Sequence, residues 1–448
     1  MDFFHGPTIL YNISKVHMKK HWFLFSAFFF LFLPGSMAAR DTDHRWYGSV
    51  SYYLNATFGI DPNAGLTAFP ILRIPMGGRS EGMAGAFSAV ADDISFLDHN
   101  PAASSMLERT EIALFHNNWI ADANIAALAF TSRRDDLGFA AGVKWLYVPF
   151  TEYNMFGNRV SKGYYSEGVA TLNISYNFLR GHYFSGLSVG VNLKGAFRIV
   201  PDFSDADDMG NNQGAIIPGS GREQSTIMGM VDIGLLTRFN FLKFYNSRQR
   251  NASAALVFRN LGPPAMGDPL PSAITAGLSY RPVRPLLFSF DFTVPMNFVD
   301  ISLSERPYWA FGIAGEVASF LSMRAGLQGR AGNARITVGS AINLERISLE
   351  VNYTLDLATQ IQPMNRVSLG VRLNLGDQCR RARAEKVEEL YLIGLEAYSR
   401  SDFYTARSRW EEALRLDPRF DPAREGLRII ERTLEVEERI RAMQELMF

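Results

Sequence analysis

Between Thr110 and Leu375 the chain alternates apolar and polar residues at period two. Leu172, Ile174, Tyr176 and Phe178 interleave with Asn173, Ser175 and Asn177. Phe288, Phe290 and Phe292 interleave with Ser289, Asp291 and Thr293. Such alternation gives a strand one apolar and one polar face. Fourteen segments of this kind start near Glu111, Ala123, Leu137, Val169, Gly186, Thr226, Ala252, Ser272, Leu286, Tyr308, Leu321, Arg335, Ile347 and Val367. Each runs for about 9–12 residues, the length of a tilted membrane-crossing strand.

The connections alternate as well. Those after strands two, four, eight, ten and twelve are short, with the twelve-residue link after strand six as an exception. Those after odd strands tend to be longer, notably 149–166 and 198–225. An even number of strands with short turns at one end and long loops at the other predicts an outer-membrane β-barrel of 14 antiparallel strands over 110–376. Trp145, Tyr147, Tyr176, Phe178, Trp309 and Tyr353 lie near strand ends, where aromatic girdles form. A soluble sandwich would turn the apolar faces inward and would not account for the loop asymmetry.

If the apolar faces meet lipid, the opposite parity lines the lumen. Many of its residues are small (Gly138, Ala140, Gly142, Gly277, Gly312, Ala314, Gly339), which leaves room for a plug or a ligand. Lys144, Lys194, Arg259, Arg324 and Arg372 fall on the same parity, with Asp291 and Glu350 among them. These five cations are the candidate partners for an anionic ligand.

Both ends of the chain break the pattern. Lys19 and Lys20 precede the apolar run Trp22–Leu33, then Pro34-Gly35 and the small residues Ser36-Met37-Ala38-Ala39. This is the layout of a cleavable export signal over 1–39, with Met18 as a possible true start. After Gly376 the spacing turns helical. Residues 380–448 hold 14 Lys or Arg and 15 Asp or Glu, and Pro418 and Pro422 divide them into helices near 383–399, 403–416 and 421–446. The even strand count places both ends of the barrel on the periplasmic side, so residues 377–448 form a periplasmic domain.

Composition narrows the function classes. A formal net charge of zero gives no electrostatic case for nucleic acid. The single cysteine, Cys379, excludes an internal disulfide framework and argues against a zinc cluster. Mean hydropathy is −0.04, and no later segment is apolar enough to span a bilayer as a helix. His99, His116 and His182 are scattered without a nucleophile, so no catalytic residue is assigned and the chain is read as a non-enzyme. Asp202, Asp205, Asp207 and Asp208 suggest a cation loop, but Met209 stands where an oxygen ligand is needed. Neither a metal nor a cofactor is expected.

Three motifs point further. Residues 77–106, GGRSEGMAGAFSAVADDISFLDHNPAASSM, combine a glycine-rich GMAGAF, the pair Asp92-Asp93 and the triplet Asn100-Pro101-Ala102. This stretch resembles the N-terminal hatch of the FadL family of outer-membrane long-chain fatty-acid transporters. It resembles the UPF0164 and PorV-type branches more closely still. The resemblance covers roughly residues 68–375 and implies a fourteen-stranded barrel, with 40–109 as an N-terminal extension and hatch. About 30 residues, Arg40 to Pro70, precede the hatch, a departure from the fatty-acid transporters, and no ligand-pocket residue of that family can be placed here. The second motif is Ser368, Gly370, Leu373 and Leu375, which resembles the assembly signal of a last barrel strand. The third is Val387–Pro418, which resembles one tetratricopeptide repeat: Gly394, Ala397, Ala406, Trp410, Ala413 and Pro418 fall at its packing positions, and Leu390 and Ile393 complete its first helix.

The resemblance implies a transporter in the bacterial outer membrane, bathed in its lipid. It would admit a hydrophobic small molecule such as a long-chain fatty acid into the periplasm, while the repeat recruits a periplasmic protein. The alternative is a PorV-like scaffold or shuttle in protein secretion, without transport.

Overall fold

The computed structural model describes residues 45–119, 123–153, 159–202, 218–245, 247, 249–357 and 364–445. The expected export signal, and Asp205, Asp207 and Asp208, lie outside the described residues. Asp202 accepts the backbone N–H groups of Gly219 and Gly221 (3.1 and 2.9 Å).

Fourteen strands close into an antiparallel barrel, each paired with its sequence neighbour. They are β1 (Thr110–Asn118), β2 (Asn124–Arg134), β3 (Leu137–Tyr153), β4 (Arg159–Phe178), β5 (Leu187–Ile199), β6 (Thr226–Phe239) and β7 (Ala252–Leu261). The remainder are β8 (Ser272–Val283), β9 (Leu286–Met296), β10 (Tyr308–Ala318), β11 (Leu321–Arg330), β12 (Asn333–Asn343), β13 (Ile347–Asp356) and β14 (Met364–Gly376). The strand carrying SLGVRLNLG seals the ring: Phe115 of β1 faces Gly370 of β14, and Asn118 faces Val367. Closure leaves no unpaired edge, which is what a sheet surrounded by lipid requires.

Parity behaves as the alternation predicts. Leu172 is 63% exposed and Ile174 50%, while the intervening Asn173 is 5% exposed. The apolar sides therefore face outward and the small and polar sides inward. One boundary differs. The predicted loop 149–166 is largely strand, because β3 and β4 stay paired from Leu137↔Tyr176 out to Tyr153↔Arg159. Continued pairing satisfies backbone groups that a loop would leave to solvent.

Inside the ring runs the chain that precedes β1. A helix, α1 (Arg45–Phe58), ends beside the loops after odd strands: the Phe58 carbonyl accepts from Arg306, and Asn63 donates to the carbonyls of Ser302 and Ser304. The chain then descends through short 3-10 turns, Pro70–Arg73, Ile94–Asp98 and Pro101–Met106. It reaches the opposite end at Leu107, whose carbonyl accepts from Arg133 (3.1 Å). The two ends of the barrel share the short-turn rim, with Thr110 of β1 opposite Gly376 of β14, while the chain before Leu107 comes from the other rim. An even strand count fixes only where β1 begins and β14 ends; residues 59–107 pass through the lumen to the long-loop end.

Three helices follow β14: α2 (Arg380–Ser399), α3 (Phe403–Leu416) and α4 (Asp421–Glu445). Trp410 is buried between them and donates its indole N–H to the Tyr391 carbonyl (3.1 Å). Gly394 and Gly426 lie against its ring, where a Cβ would collide with it. Ala406 and Ala413 are fully buried and Ala397 partly so, while Arg424 reaches the Pro418 carbonyl. Ile393 is 38% exposed, and Tyr391 packs in its stead. The group meets the barrel at its short turns: Arg380 donates to the carbonyls of Arg133 and Glu108, Arg419 pairs with Asp136, and Phe420 packs edge-on against His182.

Candidate functional site

The lumen is the candidate site, and its wall is shaped to receive backbone. At Gly138 and Gly190 a side chain would run into the carbonyls of Ser104 and Pro101. The same side of the wall supplies hydrogen bonds. Ser253 donates to the Ala89 carbonyl, Thr337 to Gly82, and Asn352 to Gly78. Asp291 of β9 accepts from the N–H groups of Phe87 and Ser88 (3.2 and 2.9 Å). Irregular backbone is tolerated at membrane depth when polar partners of this kind surround it.

The motif residues sit at the centre of this fit. Asn100 is fully buried. Its Oδ1 accepts from the Ala102 N–H (3.0 Å), capping the turn that starts at Pro101, and its amide donates to the carbonyls of Ser88 and Leu235 (2.8 and 3.3 Å). Proline at the first position of that turn forfeits no hydrogen bond, since its N–H would be an orphan there. The Pro101 carbonyl accepts from Asn173 (2.8 Å). Asp93 caps the turn before it, accepting from Ser95 N–H (3.0 Å), and Asp92 holds Arg79 (2.8 Å).

All five candidate cations point inward, and four of them meet a carboxylate. Lys144 binds Asp98 (3.0 Å) and the Ile74 carbonyl (2.7 Å). Lys194 binds Asp232 (2.6 Å). Arg324 lies 3.4 Å from Glu350. Arg372 gathers Asp93 (2.6 Å), Glu350 (3.0 Å) and Glu111 (3.9 Å), tying the inner segment to β13, β1 and its own strand β14. Arg259 is different: the Thr275 hydroxyl accepts from it (2.8 Å), and its Nε is buried without a partner. Sequence reasoning found the cations and one of their wall partners, Glu350, named Asp93 only as a motif residue, and missed Asp98, Asp232 and Glu111. Glu111 and Asp232 share the inward parity and were legible on that ground. Asp98 and Asp93 lie in the irregular segment, where no periodicity marks a direction.

Two cavities border the inner segment. One of about 80 Å³ lies between the inner segment and β7, β9 and β12, bordered by His99, Asp291 and Arg259. His99 Nδ1 and Nε2 and Asp291 Oδ1 are buried there without hydrogen-bond partners. The larger, about 690 Å³, opens among the short turns and is lined by nine arginines and five carboxylates over an apolar floor that includes Val90, Met106, Leu107 and Leu287. Its volume falls in the ~300–1,000 Å³ range of small-ligand sites. Among the described residues no group of His, Cys, Asp and Glu is arranged to hold a metal ion.

Comparison with known proteins gives relatives and structural neighbours. A "UPF0164 protein" of Treponema pallidum (strain Nichols) is 29% identical over 383 residues, 82% of this chain and 83% of that protein. Another "UPF0164 protein" of the same organism is 25% identical over 378 residues, 80% of this chain and 73% of that one. Among solved structures, the "CymD monoaromatic hydrocarbon channel" aligns with TM-score 0.45 and 12% identity over 69% of this chain and 99% of its own. The Ralstonia pickettii toluene transporter TbuX aligns with TM-score 0.43 and 12% identity over 69% and 98%. The pattern of the Uncharacterised protein family (UPF0164) matches residues 48–378, from within α1 through the whole barrel. The chain belongs to the UPF0164 family.

Proposed function

We propose that this protein is an outer-membrane transporter that admits hydrophobic molecules such as long-chain fatty acids, with residues 40–109 as its N-terminal extension and hatch. One observation carries the reading: the barrel's lumen is filled by its own N-terminal segment, which leaves an arginine-rich cavity over an apolar floor at the short-turn end. An arginine surplus attracts a carboxylate headgroup, and an apolar floor suits an acyl chain. In this reading the short-turn end is periplasmic, and the three helices, built like one tetratricopeptide repeat with a third capping helix, recruit a periplasmic carrier for the emerging ligand. Proteoliposomes holding the full chain should accumulate labelled oleate, and uptake no faster than in empty liposomes would sink the transporter reading. Of the five candidate cations, Arg324 and Arg372 line this cavity, and changing either to Gln should weaken oleate binding by roughly 1–3 kcal/mol. Unchanged affinity in single neutral variants of all five cations would refute a lumenal carboxylate partner.

A second reading is favoured by a specific observation. Four of the five lumenal cations are already paired, as a permanently sealed barrel would have them. A PorV-like scaffold for protein secretion needs only such a seal. It is distinguished by absent oleate uptake together with capture of a secreted protein.

A further inference from the structure

Helix α4 carries two apolar stripes, and its packing accounts for one. Ala423, Leu427, Ile430 and Leu434 face α2 and α3, with Ala423 and Ile430 fully buried. That stripe stops at Leu434, because the next positions on its face are Glu437, Glu438 and Arg441. The second stripe is Ile429, Thr433, Val436, Ile440 and Met443. Its apolar members are 52%, 50%, 46% and 58% exposed in that order. Its spacing of four, three, four and three is the a/d repeat of a coiled coil. Thr433 is suited to such a seam, since its hydroxyl already donates to the Ile429 carbonyl (2.9 Å) and would enter it satisfied. Hydrogen bonds between α4 and the barrel end at Glu425, which accepts from Tyr183. Among the described residues, none joins 426–445 to the barrel.

The flanking charges say what covers this face. Taking Val436 as d and Ile440 as a, the g positions are Arg432 and Arg439 and the e positions beyond them are Glu437 and Gln444. In a parallel coil each g residue meets the e residue five positions on in its neighbour, so Arg432 meets Glu437 in every pair of chains. An antiparallel coil sets g against g and places arginine against arginine. We propose that α4 joins copies of this same chain through a parallel, in-register coil over 429–443. Four of the five seam residues are β-branched, occupying both a and d, a composition that favours three strands over two. Two heptads are short for a free coil, but chains held in one membrane meet at a raised effective concentration. The parallel arrangement is also natural for barrels inserted with one orientation. The inference rests on the membrane barrel and not on transport.

The test uses the full chain in proteoliposomes with Cys379→Ser as background, so that introduced thiols are the only ones. Disulfides form when Cα atoms lie within about 4.4–6.8 Å, and d residues of a parallel, in-register coil meet their own copies. Val436→Cys should therefore cross-link to itself at least tenfold more than Glu438→Cys, which lies outside the seam. In an antiparallel coil Val436→Cys would instead cross-link preferentially to Ile440→Cys in mixed vesicles. Arg432→Glu should lower the cross-linked fraction, and adding Glu437→Arg should restore it. Mass photometry of the protein extracted in native-lipid nanodiscs should give three chains, shifting to one with Val436→Asp/Ile440→Asp. Cross-linking no greater than the Glu438→Cys control, a preference for the mixed pair, or monomers throughout would overturn the proposal. Oleate uptake by the Val436→Asp/Ile440→Asp variant reports separately on transport, so failure of one does not imply failure of the other.

Discussion

Arg372→Gln is the substitution whose consequence the structure defines most closely. The guanidinium lies 2.6 Å from Asp93 in the inner segment and 3.0 Å from Glu350, with Glu111 at 3.9 Å. Asp93, Glu350 and Glu111 are all buried. A neutral amide leaves three carboxylates in a low-dielectric space with less compensation. Removing one partner of a buried ion pair costs about 3–5 kcal/mol, chiefly through the charge left behind. Arg324 remains 3.4 Å from Glu350 and Arg79 stays near Asp93 on the strength of its bond to Asp92, so the lower end of that range applies. The cost falls on the docking of the inner segment, because Asp93 caps the turn at Ile94 and Glu111 accepts the Ile94 N–H (3.1 Å). The barrel ladder between β1 and β14 does not depend on this side chain. Hydrogen exchange by mass spectrometry should therefore show faster exchange over 92–98, by two decades or more at about 1.4 kcal/mol per decade, with unchanged protection in the strands. Channel conductance in planar bilayers should rise in parallel as the segment opens. Exchange within threefold of wild type, with unaltered conductance, would refute the claim that this arginine clamps the segment to the wall.

Three further outcomes follow from the same contacts. Gly190→Val should misfit the Pro101 carbonyl and cost about 1–3 kcal/mol as overpacking, read as a lower midpoint of heat-modifiable gel mobility; an unchanged midpoint would mean the segment sits elsewhere. Trp410→Ala removes the aromatic that α2, α3 and α4 share and should cost about 3–5 kcal/mol, making 377–445 protease-sensitive while the barrel stays resistant. Deleting 380–448 should leave an inserted, heat-modifiable barrel, because β14 and its pairing to β1 remain; failure to insert would make the helices part of barrel assembly.

Much of the wall was legible because lipid and lumen impose opposite demands at period two, and that demand is written residue by residue. Leu172 and Asn173 declare their faces without reference to anything distant. The three C-terminal helices were legible on a different ground, from helical spacing and proline. Their bounds match expectation except at the start of α2, which begins three residues earlier; the expected end at residue 446 lies outside the described residues. What the sequence could not decide lies where periodicity stops. The segment 59–107 has no repeat to orient it, so neither its passage from the long-loop end nor the use of Asp98 and Asp93 as partners for wall cations could be read. The extension of β3 and β4 was hidden by glycine and proline that imitate a loop. The pairing of the lumenal charges was likewise a tertiary decision. Parity says that Arg372 and Lys194 point inward, but whether a cation waits for a ligand depends on which carboxylate the folded chain carries to within 3 Å of it. Lys194 finds Asp232 on the neighbouring strand of the sheet, whereas Arg372 meets Asp93 and Glu111 only once the inner segment is seated and β14 has closed on β1.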